Sequence, residues 1–331
     1  MDLPLIAALF MLFALTMYVV LDGFDLGVGA LLLAQRDEQV RNRMVDAIAP
    51  TWDGNETWLI MAGITLLAGF PLAYGILLPA FYIPIVVMLV SLGLRGVSFE
   101  FRHNSRSSRR RWDVVFAAGS LAAGLAQGVI VGGLIHGVRV EGNTFAGSPF
   151  DTFSPFCILT AVTVVAGYAT LGVGWLRLKG EDATRAFARR HQRWIPLAFL
   201  GLTVITVLIA ASAQPRLIAS WRAHRDVFSF CLVAFTIGAV AIASLAGRDD
   251  VDDHVGFALA LAMMLSGMMA LGLSFFPNIV PFQITLWNAA STPASLGFVL
   301  IGALVATPVV LSYTGFAYWV FHGKTPAEGW Y

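Results

Sequence analysis

Apolar residues fall in long blocks separated by short polar segments along the whole chain. A bilayer core about 30 Å thick takes roughly 20 apolar residues at 1.5 Å rise each. Nine stretches meet that requirement, at residues 3–34, 57–74, 75–99, 113–135, 152–176, 194–213, 226–246, 254–275 and 295–321. The run 57–99 is too long for one span, and Pro71, Tyr74, Gly75 and Pro79 allow a tight turn inside it. We therefore divide it between Tyr74 and Gly75. No polar stretch is long enough for a folded soluble domain. The longest connections, near 136–153 and 276–295, are expected to cap one side of a bundle. The first apolar run has no basic residue before it and no suitably placed small-residue cleavage site, so it reads as a retained helix.

Composition agrees. Of 331 residues, 58% are hydrophobic and 12% charged, against roughly 25% charged in ordinary globular chains. Forty-one charged residues cannot cover the surface of a soluble protein of this length. A nucleic-acid binder, a secreted disulfide scaffold and a disordered chain are excluded. Cys157 and Cys231 lie inside apolar runs and read as small hydrophobes. The net charge of +1 hides a spatial bias. With nine spans, sixteen Lys and Arg residues fall on one side and four (Arg139, Arg216, Arg222 and Arg225) on the other. The positive-inside rule then predicts a cytoplasmic C-terminus and an outer N-terminus.

Leu26-Gly27-Val28-Gly29 recurs as Leu171-Gly172-Val173-Gly174, and Pro50 recurs as Pro196. Spans one to four and five to eight then form parallel repeats about an axis along the membrane normal. The expected fold is an all-α polytopic membrane protein with nine transmembrane helices: two four-helix bundles related by a pseudo-two-fold, plus one additional helix. The predicted division is 1–145 for the first repeat and 146–275 for the second. Residues 276–331 supply an outer loop, the ninth helix and a short tail. Gly124, Gly128 and Gly132 recur every fourth residue on the fourth span and predict close helix packing.

Ionisable residues inside spans are costly and point to function. They concentrate in the first three spans, and no comparable group is expected in spans four to nine. Asp22 and Asp25 are three apart near the inner end of the first helix; Asp53 and Glu56 are three apart at the mouth of the second. Arg95 and Glu100 stand near the inner end of the third. The plainer reading is structural: Asp53 caps a helix, and Arg95 pairs with an aspartate. A cap does not explain Asp22 or Asp25, so the sharper reading is a path for protons or cations from the cytoplasm. The six histidines lie in loops or at span ends, which equips the chain poorly to hold membrane haem. The grouped methionines Met263, Met264, Met268 and Met269 read as apolar packing.

The strings Leu21-Asp22-Gly23-Phe24-Asp25-Leu26-Gly27-Val28-Gly29 and Trp52-Asp53-Gly54-Asn55-Glu56 resemble signatures of subunit II of the cytochrome bd quinol oxidases. Phe70-Pro71-Leu72-Ala73-Tyr74, the segment from Leu94 to Arg102, and Phe276-Pro277-Asn278 followed by Leu286-Trp287-Asn288 fit the same pattern in the same order. Glu56 and the short central loops resemble the cyanide-insensitive branch. Those short loops also omit stretches that longer members have, so contacts made there do not transfer.

The resemblance implies a larger partner, subunit I, carrying the haems b and the haem d (or a third haem b). The complex would oxidise quinol at the outer face of a bacterial inner membrane, reduce O2 to water and draw protons from the cytoplasm. It implies a proton path that includes the aspartate of the Trp-Asp-Gly-Asn motif, here Asp53, with Trp52 beside it. Asp25, Glu56 and Asp22 are our extension of that path, and Arg95, Glu100 and Trp52 are assigned to charge pairing and support. A bound ubiquinone in some members, and a small single-helix accessory subunit, are left open without residues to locate them. The competing reading is a proton- or cation-coupled secondary transporter. There, polar groups ordinarily sit near the midplane between both repeats; here they belong to one repeat and one side.

Overall fold

The computed structural model describes residues 2–104, 108–248 and 250–326. Arg106, counted above among the basic loop residues, lies outside them. With no water in a bilayer core, a spanning segment must satisfy its backbone internally, and helices do so. Among the described residues eight helices are long and apolar enough to cross a membrane, or nine when a bent pair is counted as one span. The long helices are α1 (Leu3–Leu31), α3 (Trp52–Gly69), α5 (Tyr82–Asn104), α6 (Arg109–His136), α7 (Pro155–Lys179), α9 (Ile195–Ala213), α11 (Arg225–Leu245), α12 (Asp253–Phe275) and α14 (Pro293–Val320). Short helices join them: α2 (Glu38–Asp46), α4 (Pro71–Ala80), α8 (Asp182–Gln192), α10 (Pro215–Ala223) and α13 (Leu286–Ala289).

Helix starts follow local chemistry. Ser154 and Thr292 cap α7 and α14 by accepting from Cys157 N and Ser295 N, each ahead of a proline at the first helical position. Asp2 caps α1 in the same manner. The run 57–99 departs from expectation. It holds parts of three helices, because Phe70 leaves helical geometry (φ −135°, ψ 60°) one residue before Pro71. The chain turns 119° there. Pro71 then starts α4, and a second break at Phe81 starts α5. Span two thus ends at Gly69, five residues before the predicted turn, because a residue preceding proline is driven out of the helical region.

One end of the bundle carries α2 and α8, the α5–α6 and α11–α12 turns and the end of α14; we call it the basic end. The opposite end carries α4, α10, α13 and two small hairpins, Val140–Glu141 with Thr144–Phe145 and Asn278–Val280 with Ile284–Thr285. These hairpins are the caps expected from the two long connections. Helices α2 to α6 begin at Glu38, Trp52, Pro71, Tyr82 and Arg109; α8 to α12 begin at Asp182, Ile195, Pro215, Arg225 and Asp253, each 143 or 144 residues later.

The core forms where α1, α6 and α7 meet. A Cβ on Gly27 would lie 1.8 Å from the Tyr168 carbonyl oxygen, and one on Gly172 would lie 2.7 Å from the Gly27 carbonyl carbon. The repeated Leu-Gly-Val-Gly segments therefore cross backbone to backbone. The small face of α6 packs on α7 as expected, with a Cβ on Gly128 falling 2.3 Å from Ala161 Cα. Phe24 and Trp175 stack at 4.2 Å nearer the basic end, worth about 0.5–1.5 kcal/mol beyond burial alone. By contrast α14 lies on the outside against α3 and α1, with Phe298, Leu304 and Trp319 exposed.

The crossing yields a first prediction. Gly27→Val drives a side chain into backbone that cannot move aside. Overpacking typically costs about 1–3 kcal/mol, and this site belongs at or above that range. The purified protein is expected to melt several degrees lower and accumulate poorly, as read by thermal melting and yield, whereas Gly63→Val, with open space around it, leaves both unchanged.

Candidate functional site

Three helices of the first half bring their ionisable residues together about two turns inside the basic end. Asp22 and Asp25 share a face of α1 and are both fully buried. Arg95 on α5 is 1% exposed. Its Nη2 donates to Asp22 Oδ1 at 2.6 Å and also to Glu56 Oε1. Asn55, one residue earlier on α3, donates from Nδ2 to Asp25 Oδ2 at 2.7 Å and to the Leu21 carbonyl at 3.3 Å. Tyr318 of α14 donates to Asn55 Oδ1 at 3.2 Å. The first turn of α3 also points its positive dipole end toward the aspartates, which favours negative charge there.

A second set of polar groups continues deeper. Tyr18 is one turn before Asp22 on α1; its hydroxyl accepts from Gln127 Nε2 of α6 at 2.8 Å. Tyr168 of α7 donates to Gln127 Oε1. Sequence reading missed Asn55, Tyr18, Gln127, Tyr168 and Tyr318. A lone glutamine on the small-residue face of α6 was the available signal for Gln127; the tyrosines carry none until the three helices are assembled.

The charge count sets this site apart. Asp22, Asp25 and Glu56 face one guanidinium. Asp22 Oδ2, Asp25 Oδ1, Arg95 Nε and Arg95 Nη1 are buried with no hydrogen-bond partner among the described residues. Burying an unbalanced charge costs several kcal/mol per ion even after relaxation. The group therefore calls for a proton or another cation to complete it.

Sequence reading confined such groups to the first three spans, and the structure corrects this. Asp113, fully buried at the start of α6, accepts from Arg41 Nε at 2.8 Å and Arg102 Nε at 2.6 Å. Arg177 of α7, 1% exposed, pairs with Asp253 of α12 at 2.9 Å, and Asp253 also meets Arg185 and Lys324, each at 2.9 Å. Arg41, Arg102 and Arg177 had been assigned to loops. The helices run further than the apolar blocks, and α2 and α8 fold the loop cations back over the helix ends. Both added groups hold at least as many cations as carboxylates, as a structural knot requires.

Two predicted site residues lie elsewhere. Asp53 is in the first turn of α3 but exposed, on the face carrying Ile60, Ile64 and Leu67, while Asn55, Trp58, Ala62 and Thr65 face inward. It is not the helix cap, a position held by Thr51. Glu100 is likewise on the exposed face of α5. Trp52 stacks on Phe99 at 5.3 Å and supports the α3–α5 contact.

Of the described histidine side chains, His136, His224, His254 and His322 are at helix ends and His191 is on α8. None projects from the middle of a span, so these residues do not fit axial ligation of haem within a bilayer. No group of three or more His, Cys, Asp and Glu among the described residues is arranged to hold a metal ion.

Comparison with known proteins gives a consistent picture. The sequence model of the family described as cytochrome bd terminal oxidase subunit II matches residues 3–321. The chain is 29% identical to the probable cytochrome oxidase subunit 2 of Haemophilus influenzae, over 94% of this chain and 92% of that protein. It is equally similar, with the same coverage, to the cytochrome bd-I ubiquinol oxidase subunit 2 of Escherichia coli K12. It is 28% identical to the cytochrome bd ubiquinol oxidase subunit 2 of Bacillus subtilis, over 92% and 91%. The structure of bd oxidase from Geobacillus thermodenitrificans contains a chain that superposes with a TM-score of 0.78 at 16% identity, covering 97% of this chain and 99% of that one. That likeness speaks to the fold.

The ion cluster predicts the behaviour of Arg95. Removing one partner of a buried pair costs about 3–5 kcal/mol because the other charge is stranded. Arg95→Leu is expected to lower the yield of membrane-inserted, folded protein several-fold, and Arg95→Leu combined with Asp22→Leu to recover part of it. Normal yield of the single variant, measured in detergent extracts, contradicts the pairing.

Proposed function

The chain belongs to the cytochrome bd terminal oxidase subunit II family, and from that premise we propose that it is the non-haem subunit of a quinol:oxygen oxidoreductase. In this reading it supports a haem-bearing subunit I in a bacterial inner membrane and delivers part of the proton supply for oxygen reduction. The overall chemistry is two quinols plus O2 giving two quinones and two waters. Four protons enter the waters, and four leave the quinols. If the first four are drawn from the basic end and the others released at the opposite end, each turnover moves charge across the membrane. The haems supply the electron transfer when bound in the partner, and this chain's residues handle protons.

The observation that carries the proposal is the excess of carboxylate over guanidinium where buried Asp22, Asp25 and Arg95 meet the part-buried Glu56. Arg95 holds Asp22 and Glu56 by direct hydrogen bonds, and Asn55 orients Asp25. One proton shared by Asp25 and Glu56 halves the excess of two negative charges, and Arg95 offsets one of the two carboxylates that stay ionised. Asp53, on the exposed face of α3 one turn from Glu56, is suited to pass that proton across to the partner subunit. Glu100, also outward on α5, stands on the same side of the path. The basic end is then cytoplasmic, by the positive-inside bias, with the N-terminus periplasmic. The 143- or 144-residue displacement between corresponding helices supports the two repeats at 1–145 and 146–275, with 276–331 added. A secondary transporter would keep its ionisable groups between the repeats; the unbalanced group here lies within the first.

The expected outcome is specific. In the purified complex, Asp53→Asn and Asp25→Asn should each slow quinol-driven oxygen consumption about tenfold or more, within the range of lost proton-transfer groups. Haem content, read from the absorption spectrum, should be unchanged. Turnover equal to wild type at every pH would sink the proton role, and loss of haem together with activity would reduce these residues to assembly.

A further inference from the structure

Away from the carboxylate group, the basic end contains a fissure of about 540 Å³ bounded by α1, α7, α12 and α14. Helices α12 and α14 both pack on α1, and the fissure lies between them. Its inner wall is apolar, made by Phe24, Trp175 and Leu261, while Lys179, Lys324, His254 and His322 stand at its mouth. From Asp253 at the mouth to Leu261 on the wall is eight residues of helix, about 12 Å. That depth covers the passage from the headgroup layer into the upper acyl region of a leaflet. The fissure is therefore amphiphilic, polar at the membrane surface and apolar below.

Charge decides what fits. The carboxylates at the mouth are Asp252 and Asp253. Asp253 already receives Arg177, Arg185 and Lys324, and Asp252 is turned to the backbone N–H of His254 as the cap of α12. Lys179 and Lys324 line the fissure while Arg177 and Arg185 stand behind Asp253, so cationic side chains outnumber the two carboxylates. The lysines also keep donors to spare. Lys179 Nζ, which sits 5.2 Å over the Trp175 ring, gives one of its three N–H groups to the Phe321 carbonyl. Lys324 gives two, to Asp253 Oδ2 and the Arg177 carbonyl. Three N–H donors thus remain around a mouth of net positive charge.

We propose that this fissure binds an anionic glycerophospholipid. The phosphate sits between Lys179 and Lys324, and the upper part of one acyl chain lies against Phe24, Trp175 and Leu261. Basic pockets between helices on the cytoplasmic side of membrane proteins take acidic headgroups for the same electrostatic reason. The site lies between α14 and two helices of the second half, α7 and α12, on which α14 packs only sparsely, so the lipid acts as a wedge between them. The inference is independent of the proton role.

The test uses the intact complex in mixed micelles holding phosphatidylglycerol or phosphatidylcholine, with bound lipid counted by native mass spectrometry. Wild-type complex is expected to retain one phosphatidylglycerol in preference to phosphatidylcholine. Lys179→Gln should weaken that retention about fivefold, the effect of one cation near a headgroup. Leu261→Trp, which fills the wall, should abolish it, and if that variant does not assemble the lysine variant reads the same site. Equal retention of both lipids overturns the proposal, as does retention unchanged in Lys179→Gln. Displacement of the lipid by inorganic phosphate at equal concentration would assign the mouth to free phosphate and also overturn it.

Discussion

Two fully buried aspartates and a part-buried glutamate around one buried guanidinium form the constraint on which the rest of this structure depends. Arg95 bonds to Asp22 and Glu56, and Asn55 bonds to Asp25. These contacts lock α1, α3 and α5 at a fixed depth. In a low-dielectric interior the group is stable only with its charge completed. In the proposed reading that completing proton is exchangeable, which makes the group part of a relay.

The two other ionic groups at the same end clarify this by contrast. Asp113 lies between Arg41 and Arg102, and Asp253 between Arg177, Arg185 and Lys324. Each ties a loop helix to the end of the bundle without a deficit of positive charge. They hold the molecule together and have no need of a mobile ion. The Asp22–Asp25–Glu56–Arg95 cluster differs in charge balance and in depth, and the proposed proton role rests on those two properties more than on the presence of charge. Close approach of α1 and α7 at Gly27 and Gly172 makes room for the arrangement, because it sets Tyr168 and Gln127 next to Tyr18.

Much of the fold was legible in the sequence because bilayer thickness and backbone satisfaction leave few choices for long apolar blocks. The turn after span two was misplaced because Pro71, Gly75 and Pro79 all permit one; the φ of Phe70 decided it, and α4 absorbed the remainder. Asp22, Asp25, Glu56 and Arg95 were found from spacing and depth. Asp53 was placed on the path by its resemblance to the family's Trp-Asp-Gly-Asn motif, and Glu100 was grouped with Arg95 by its place near the inner end of the third span. Helix phase separates them: Asp53 is about 160° from Asn55 around α3, and Glu100 about 140° from Arg95 around α5. Which face turns inward is set by packing of α3 on α1 and of α5 on α6. Arg177 and Asp253 were hidden because their pairing joins residues 76 apart, a contact that no local pattern announces.

The central claim is that the buried group carries an exchangeable proton on Asp25 or Glu56. Infrared difference spectroscopy of the complex, recorded between its oxidised and reduced states, tests it most directly. The account predicts a carboxylic C=O band that shifts in heavy water and is lost or displaced in Asp25→Asn or Glu56→Gln. A spectrum with no protonated carboxyl signal, or one that both substitutions leave untouched, would contradict it.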